Sequence, residues 1–147
     1  MPYFGAMKIA IINGPNLNLL GKRETDVYGS RSFDVFFGEL QARHPDVTLH
    51  YFQSNIEGEL VSELQRVGFD HDGIILNPAA YTHTSVAIGD AVAAITAPVV
   101  EVHISNVHAR EDFRKFSHVS AKAAGSIFGL GLEGYALALQ WLKGRSA

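Results

Sequence analysis

Two pairs of side chains stand out for the chemistry their types allow. Arg23 and Tyr28 are five residues apart in a stretch with no periodicity but many hydrogen-bonding groups, NGPNLNLLGKRETDVYG at 13–29. A guanidinium brought to a phenol favours the phenolate. Gly21 and Gly29 flank the pair as candidate hinges. Glu101 and His103 are two residues apart, hence on one face of a strand, where a carboxylate fixes which imidazole nitrogen carries the proton. Each pair has a plainer reading. A loop tyrosine commonly packs its ring and bonds its hydroxyl, and a strand histidine is commonly a satisfied core residue.

These residues need a scaffold, and the flanking patterns describe one. Ile9 to Ile12 is an apolar run of strand length, broken by Asn13-Gly14-Pro15-Asn16. The loop that follows exceeds the usual 2 to 6 or so residues of a strand-to-helix connection. Phe33, Phe36, Phe37 and Leu40 form one helical face ending before Pro45. Val47 to Gln53 is β-branched and aromatic, and Ser54-Asn-Ile-Glu57 has capping-box spacing before a helix carrying Leu60, Leu64 and Val67 and ending at Gly68. Gly73 to Asn77 predicts a buried strand, then a polar loop and a helix around Val86, Ala91 and Ile95. Val99 to Ile104 predicts the next strand, Ser105 to Ser117 a charged connection, Gly125 to Phe128 the last strand, and Leu132 to Leu142 a closing helix.

Strands alternating with helices at this spacing predict an α/β three-layer sandwich with a five-stranded parallel sheet in one domain, 1–147. Residues 1–6 form an irregular extension in this reading, and Met7 is an alternative start to Met1. Asn13 and Asn16, Gln53 and Asn55, Asn77 and His83, and His103 and Ser105 then all fall at or just after the carboxyl end of a strand, the edge where open α/β sheets bind ligands. Asn13 and Asn55 are expected to be turn or cap residues, whereas Asn16 and Asn77 are stronger site candidates. Arg110, Arg114 and Lys115 form a basic cluster beyond the fourth strand, either a solvated loop or a contact for an anionic ligand.

Composition removes several function classes. The 147 residues are 47% apolar with a formal charge of -3 and no run of Lys and Arg, which argues against a nucleic-acid or anionic-membrane partner and favours a small soluble ligand. Without cysteine there are no disulfides or thiolate metal sites. His44, His50, His71 and His118 are expected at the surface, and no HExxH spacing suggests a metal. No stretch reaches membrane-span length and the N-terminus lacks a signal pattern, so a cytoplasmic protein is expected. Gly129-Leu-Gly131-Leu-Glu-Gly134 matches GxGxxG, but the chain ends before the second strand and acidic residue that a dinucleotide site needs. These glycines are expected to let the last helix approach the sheet.

Five blocks in order, NGPNLNLLGKRETDVYG at 13–29, QSNIEGEL at 53–60, NPAAYTHTSVAIGDA at 77–91, EVHISNVHAREDFR at 101–114 and GLGLEGYALAL at 129–139, resemble the type II 3-dehydroquinate dehydratases over nearly the whole chain. The resemblance implies a flavodoxin-like fold, a dodecamer built as a tetramer of trimers, and trans-elimination of water from 3-dehydroquinate to 3-dehydroshikimate without a cofactor or metal, in aromatic biosynthesis or quinate breakdown. It makes Tyr28 the proton acceptor, His103 the proton donor, Arg23 the cation that supports tyrosinate and enolate, Asn16 the holder of a water that stabilises the enolate, and Glu101 the residue that orients His103. Asn77, His83, Ile104, Ser105 and Arg114 would hold substrate, and Asp90 would reach a neighbouring subunit's pocket. Thr25 stands where the family often has proline, and Phe116 where it often has histidine or asparagine.

Elementary chemistry agrees with that implication. A tyrosine of pKa about 10 becomes a useful base near neutral pH if an adjacent cation lowers it by about 1 to 3 units. A lysine imine is not expected, because no lysine combines a place near the site with an apolar pocket that would neutralise it. The alternative from another class is a flavodoxin-like module that binds a small anion or nucleotide without chemistry.

Overall fold

The computed structural model describes residues 6–22 and 31–145. Five parallel strands, β1 (Met7–Asn13), β2 (Val47–Gln53), β3 (Gly73–Asn77), β4 (Val99–His103) and β5 (Gly125–Phe128), form one sheet in the order β2-β1-β3-β4-β5. That is the flavodoxin-like order, in which the connections leave helices on both faces. Alternation decides the layers. Ile9 and Ile11 face one core with α1 (Phe33–Arg43) and α4 (Glu133–Arg145), while Ala10 and Ile12 face the other with α2 (Glu57–Gly68) and α3 (Val86–Ala94). β3 and β4 are buried on both faces, so neither alternates between core and solvent, and the polar residues they carry, Asn77, Glu101 and His103, are buried with the rest.

Serine caps open two of the helices. Ser32 accepts the Val35 N–H at 3.2 Å and Ser85 the Ile88 N–H at 2.9 Å. The capping box expected at Ser54–Glu57 is absent: α2 begins after Ile56, with no side-chain cap. Ser54, nearly buried at the sheet edge, accepts the Ile56 N–H at 2.9 Å and donates to the Glu59 carboxylate instead. The glycine motif also divides. Gly134 does bring α4 onto the sheet, since an added Cβ would lie 3.3 Å from Val102, but Gly129 and Gly131 serve a turn with φ of +86° and +62°.

The register sets the edge that matters. Asn13 lies between Gln53 of β2 and Asn77 of β3. Gly14 then continues so close to the next loop that a Cβ there would sit 2.5 Å from the Pro78 carbonyl oxygen. Asn13 corrects the turn or cap expectation: it is a fully buried strand residue that accepts a hydrogen bond from the Tyr135 hydroxyl at 2.7 Å. Tyr135, itself fully buried in α4, accepts in turn from the Asn77 amide at 2.9 Å. One phenol thus clamps the ends of two adjacent strands, and burial pushes its pKa far above the ordinary value.

Tyr135→Phe keeps the ring and strands two buried amide groups. At about 1 to 3 kcal/mol for each unsatisfied group, the expected loss is about 2 to 6 kcal/mol, read as a lower urea midpoint with unchanged slope at equal protein concentration. A midpoint equal to that of the parent protein would show that the clamp contributes nothing.

Candidate active site

The loop after β1 is braced from β2. Gln53 donates to the Gly14 carbonyl at 3.1 Å and to Asn55 Oδ1 at 3.2 Å, and Asn55 Oδ1 accepts the Asn16 N–H at 3.0 Å. Asn55 is therefore a brace for its neighbour rather than a plain turn residue. Asn16 has φ of +71°, a left-handed conformation that asparagine tolerates better than most side chains. It opens the short 3-10 turn Leu17–Leu19, which together with Asn16 forms one wall of a cavity.

The next wall follows β3. Asn77 Oδ1 accepts the Ala79 N–H at 3.0 Å, turning the chain into the 3-10 segment Ala79–His83. His83 Nδ1 meets the Phe116 carbonyl at 2.7 Å, which assigns the proton to Nδ1 and leaves Nε2 as the acceptor in the neutral ring. Burial lowers the His83 pKa, and the nearby positive charges of His103 and Arg114 add to that effect against the opposing bond to Phe116.

At the end of β4, His103 Nε2 lies 2.6 Å from Glu101 Oε2. Glu101 has no exposed surface. Burial alone would raise its pKa, but the hydrogen bond and charge of His103 and the hydroxyls of Ser120 and Thr82 outweigh burial and hold it at about 2. Glu101 is thus an anion at neutral pH, Nε2–H is the donor, and Nδ1 is the nitrogen that can take a second proton. The His83 and His103 rings stand 6.3 Å apart, centroid to centroid. Beyond them Arg110 reaches the Ser105 hydroxyl at 3.4 Å, and Arg114 bonds Glu111 at 3.0 Å with its guanidinium over the Phe113 ring.

The cavity enclosed here spans about 740 Å³ including open solvent. Asn16, Asn77, His83, His103, Ile104, Ser105 and Arg114, all expected from the sequence, line it, and Arg110 joins them from the basic cluster. Glu101 is absent from that lining and sits behind His103. Asp90 does not join the group: it lies on α3, largely exposed, 3.1 Å from Lys122. Arg23 and Tyr28, together with Thr25 and the hinge candidate Gly29, fall outside the described residues.

Sequence reasoning missed Thr82, Ser117, Ser120 and Ser126, the hydroxyls gathered around Glu101. No local pattern marks them; the signal was the demand of a buried carboxylate for donors, which names no particular serine. Of the histidines expected at the surface, His71 needs correction: its side chain is only 8% exposed beside Asp70, whereas His50 keeps 39% of its side chain exposed while bonding the nearly buried Glu63 at 3.0 Å. Among the described residues no group of three or more His, Cys, Asp or Glu could hold a metal ion, and no helix is long and apolar enough to cross a membrane.

Residues 7–143 match the family model described as dehydroquinase class II. A 3-dehydroquinate dehydratase from Exiguobacterium sp. is 57% identical over 137 residues, which are 92% of this chain and 94% of that protein. The crystal structure of a type II dehydroquinase from Butyrivibrio crossotus aligns with a TM-score of 0.90 at 42% identity, covering 93% of this chain and 97% of that one. That of the type II dehydroquinase from Propionibacterium acnes gives 0.89 at 40% identity, covering 95% and 98%. Fold and sequence agree over nearly the full length compared, and the chain belongs to the class II dehydroquinase family.

Proposed function

We propose that this protein is a 3-dehydroquinate dehydratase, a hydro-lyase that converts 3-dehydroquinate to 3-dehydroshikimate and water. Besides family membership, the observation that carries the reading is a histidine held 2.6 Å from a fully buried carboxylate at a cavity lined by neutral donors and arginine. Such a pair suits a proton donor for a departing hydroxyl.

In this mechanism Tyr28, as the phenolate favoured by Arg23, takes the proton from the carbon beside the ketone, and the electron pair moves onto the ketone oxygen. Asn16 holds a water that donates to that enolate oxygen without adding net charge. The enolate then re-forms the ketone, the carbon–oxygen bond of the leaving hydroxyl breaks, and His103 supplies the proton that makes it water. Glu101 orients His103. Asn77, His83, Ile104, Ser105 and Arg114 hold the substrate, with Arg114 suited to its carboxylate. No cofactor or metal takes part in these steps.

The same proposal takes residues 1–147 as one catalytic domain, working in the cytoplasm on aromatic biosynthesis or quinate breakdown, and assembled as a dodecamer of four trimers. Asp90 then contributes to a neighbouring subunit's pocket, in keeping with its exposed position on α3. Phe116 differs from the family's usual residue, but its backbone carbonyl, which any residue provides, makes the bond to His83.

Tyr28→Phe deletes the proposed base and little volume. Turnover, followed as the rise of enone absorbance in the ultraviolet, should fall by about 100-fold or more while circular dichroism stays that of the parent. Near-parental turnover would sink the assignment.

A lysine imine is the competing covalent route, and the lysines are poorly placed for it. Lys8, Lys115, Lys122 and Lys143 are ion-paired with Asp70, Asp112, Asp90 and Asp46, and Lys22 is exposed. Each is therefore expected to remain charged and unreactive. Sodium borohydride added with dehydroquinate should leave protein mass and activity unchanged. A substrate-dependent mass increase on a lysine, with activity lost in proportion, would replace the enolate mechanism by an imine one.

A further inference from the structure

Glu101 presents a problem that its bond to His103 solves for only part of a catalytic cycle. While His103 is an imidazolium, the pair is a buried ion pair. Once the proton has left, a carboxylate with no exposed surface remains, among the described residues, without a cation in hydrogen-bond contact. Arg114 and Lys115 line the space behind His103, yet each is paired with its own acid, Glu111 and Asp112. What does touch the carboxylate is a set of hydroxyls from outside β4. Thr82, from the turn after β3, donates to Oε2 at 2.5 Å; Ser117 lies 3.1 Å from Oε2, Ser120 donates to Oε1, and Ser126 of β5 stands 3.4 Å away.

The hydroxyls also bond one another. The Ser117 oxygen accepts the N–H groups of Val119 and Ser120, each at 3.0 Å, and with the Thr82 proton on the carboxylate its own proton is shared between Glu101 Oε2 at 3.1 Å and Thr82 Oγ1 at 2.8 Å. The His118 N–H bonds the Thr82 carbonyl at 2.8 Å, tying the segment that carries Ser117 and Ser120 to the one that carries Thr82. The buried carboxylate thus meets His103 and the hydroxyls of Thr82 and Ser120 directly, with Ser117 bridging Oε2 and Thr82 and Ser126 further off, an arrangement that remains nearly complete when His103 becomes neutral.

We propose that Thr82, Ser117 and Ser120 are positioning residues that carry the charge of Glu101 when His103 is neutral, and that they thereby make His103 a better proton donor. The inference rests on the reading of His103 as the donor in dehydration. As the carbon–oxygen bond breaks, its electron pair stays with the leaving oxygen, the His103 proton joins that oxygen to form water, and Glu101 remains a carboxylate throughout. Without the hydroxyls, neutral His103 would leave a poorly solvated anion behind, so the ion pair would hold its proton too tightly.

Among the described residues the other titratable or charged groups around His103 are His83 from the β3 turn, Arg110 and Arg114 at the cavity, and His108 and Lys115 behind it. Removing a hydroxyl alters none of their charges. Thr82→Val is isosteric and lacks the donor, Thr82→Ser keeps it, and Ser120→Ala removes a second donor independently.

The experiment is a pH profile of kcat/KM with 3-dehydroquinate, alongside a magnetic-resonance titration of ring-labelled His103 in the substrate-free enzyme. Thr82→Val and Ser120→Ala should each move the basic limb and the His103 midpoint upward by about one unit, the tenfold change expected for one lost charge-assisted bond. Plateau kcat should fall by about three- to tenfold as the donor becomes less acidic, and Thr82→Ser should restore both values. If Thr82→Val does not fold, Ser120→Ala carries the same test. A midpoint that stays in place or moves down, or a Thr82→Ser enzyme that behaves like Thr82→Val, overturns the role of the hydroxyls. A parent enzyme inactive on dehydroquinate overturns the dehydratase reading instead, and the His103 titration still decides whether the hydroxyls set its proton affinity.

Discussion

A carboxylate with no exposed surface makes the largest single demand on this structure. Removing such a charge from water costs several kcal/mol unless paired groups and hydrogen bonds replace the lost solvation. Glu101 lies on β4, and that strand supplies only His103 in return; the hydroxyls must come from elsewhere. The chain leaving β4 therefore has to come back to it. It does so through two short 3-10 turns, Val107–Ala109 and Asp112–Lys115, before Ser117 and Ser120 reach the carboxylate. The excursion carries Arg110 and Arg114 to the rim of the cavity. Its return is packed so tightly on α3 that a Cβ at Gly89 would lie 2.5 Å from the His118 carbonyl oxygen. Solvation of one buried charge and placement of the cationic rim are thus met by the same segment.

The neighbouring half of the site depends on register. β1 and β3 pair so that Asn13 and Asn77 are level, and both ends converge on the Tyr135 hydroxyl from α4. A polar group in that position has no water to turn to, which is why two amides and one phenol form a closed set. The loops that leave these strands, one through Gly14 and one through Pro78, start from a fixed and nearly touching pair of points. Asn16 and His83 are placed by this origin rather than by contact with each other.

The sequence was legible wherever the cause was local or periodic. β2, β3 and β5 coincide with their expected spans, because β-branched and apolar runs bounded by turn residues leave little choice. The edge that carries the cavity was also readable, since four polar clusters each lay at or after the end of a strand. Where the cause was tertiary, the reading failed or fell short. Asn13 looked like a turn residue because its partner Tyr135 is 122 positions away. Ser54 had the spacing of a cap, but its hydroxyl found Glu59 once the sheet edge had placed it. The hydroxyls around Glu101 were invisible for the same reason: serines are common in polar connections, and nothing near them in the chain indicates that a carboxylate will arrive 16 to 25 residues out of register.

Asn77 illustrates how a residue can hold the fold together and still line a cavity. Its Oδ1 holds the Ala79 N–H and one amide hydrogen goes to Tyr135, so the side chain is fixed by two partners on different elements. An amide nitrogen carries two hydrogens, and the second is not needed for either bond. Asn77 also lines the cavity. A donor fixed before a ligand arrives loses no rotamer freedom on binding and needs no reorganisation as charge develops on a nearby oxygen. The same bonds that stabilise the junction of two strands therefore give the cavity a rigid neutral donor, whereas arginines at the rim can adjust to the ligand's charge at less cost to the core. Neutral groups held by the sheet and charged groups held by the returning segment divide the work of orientation and attraction.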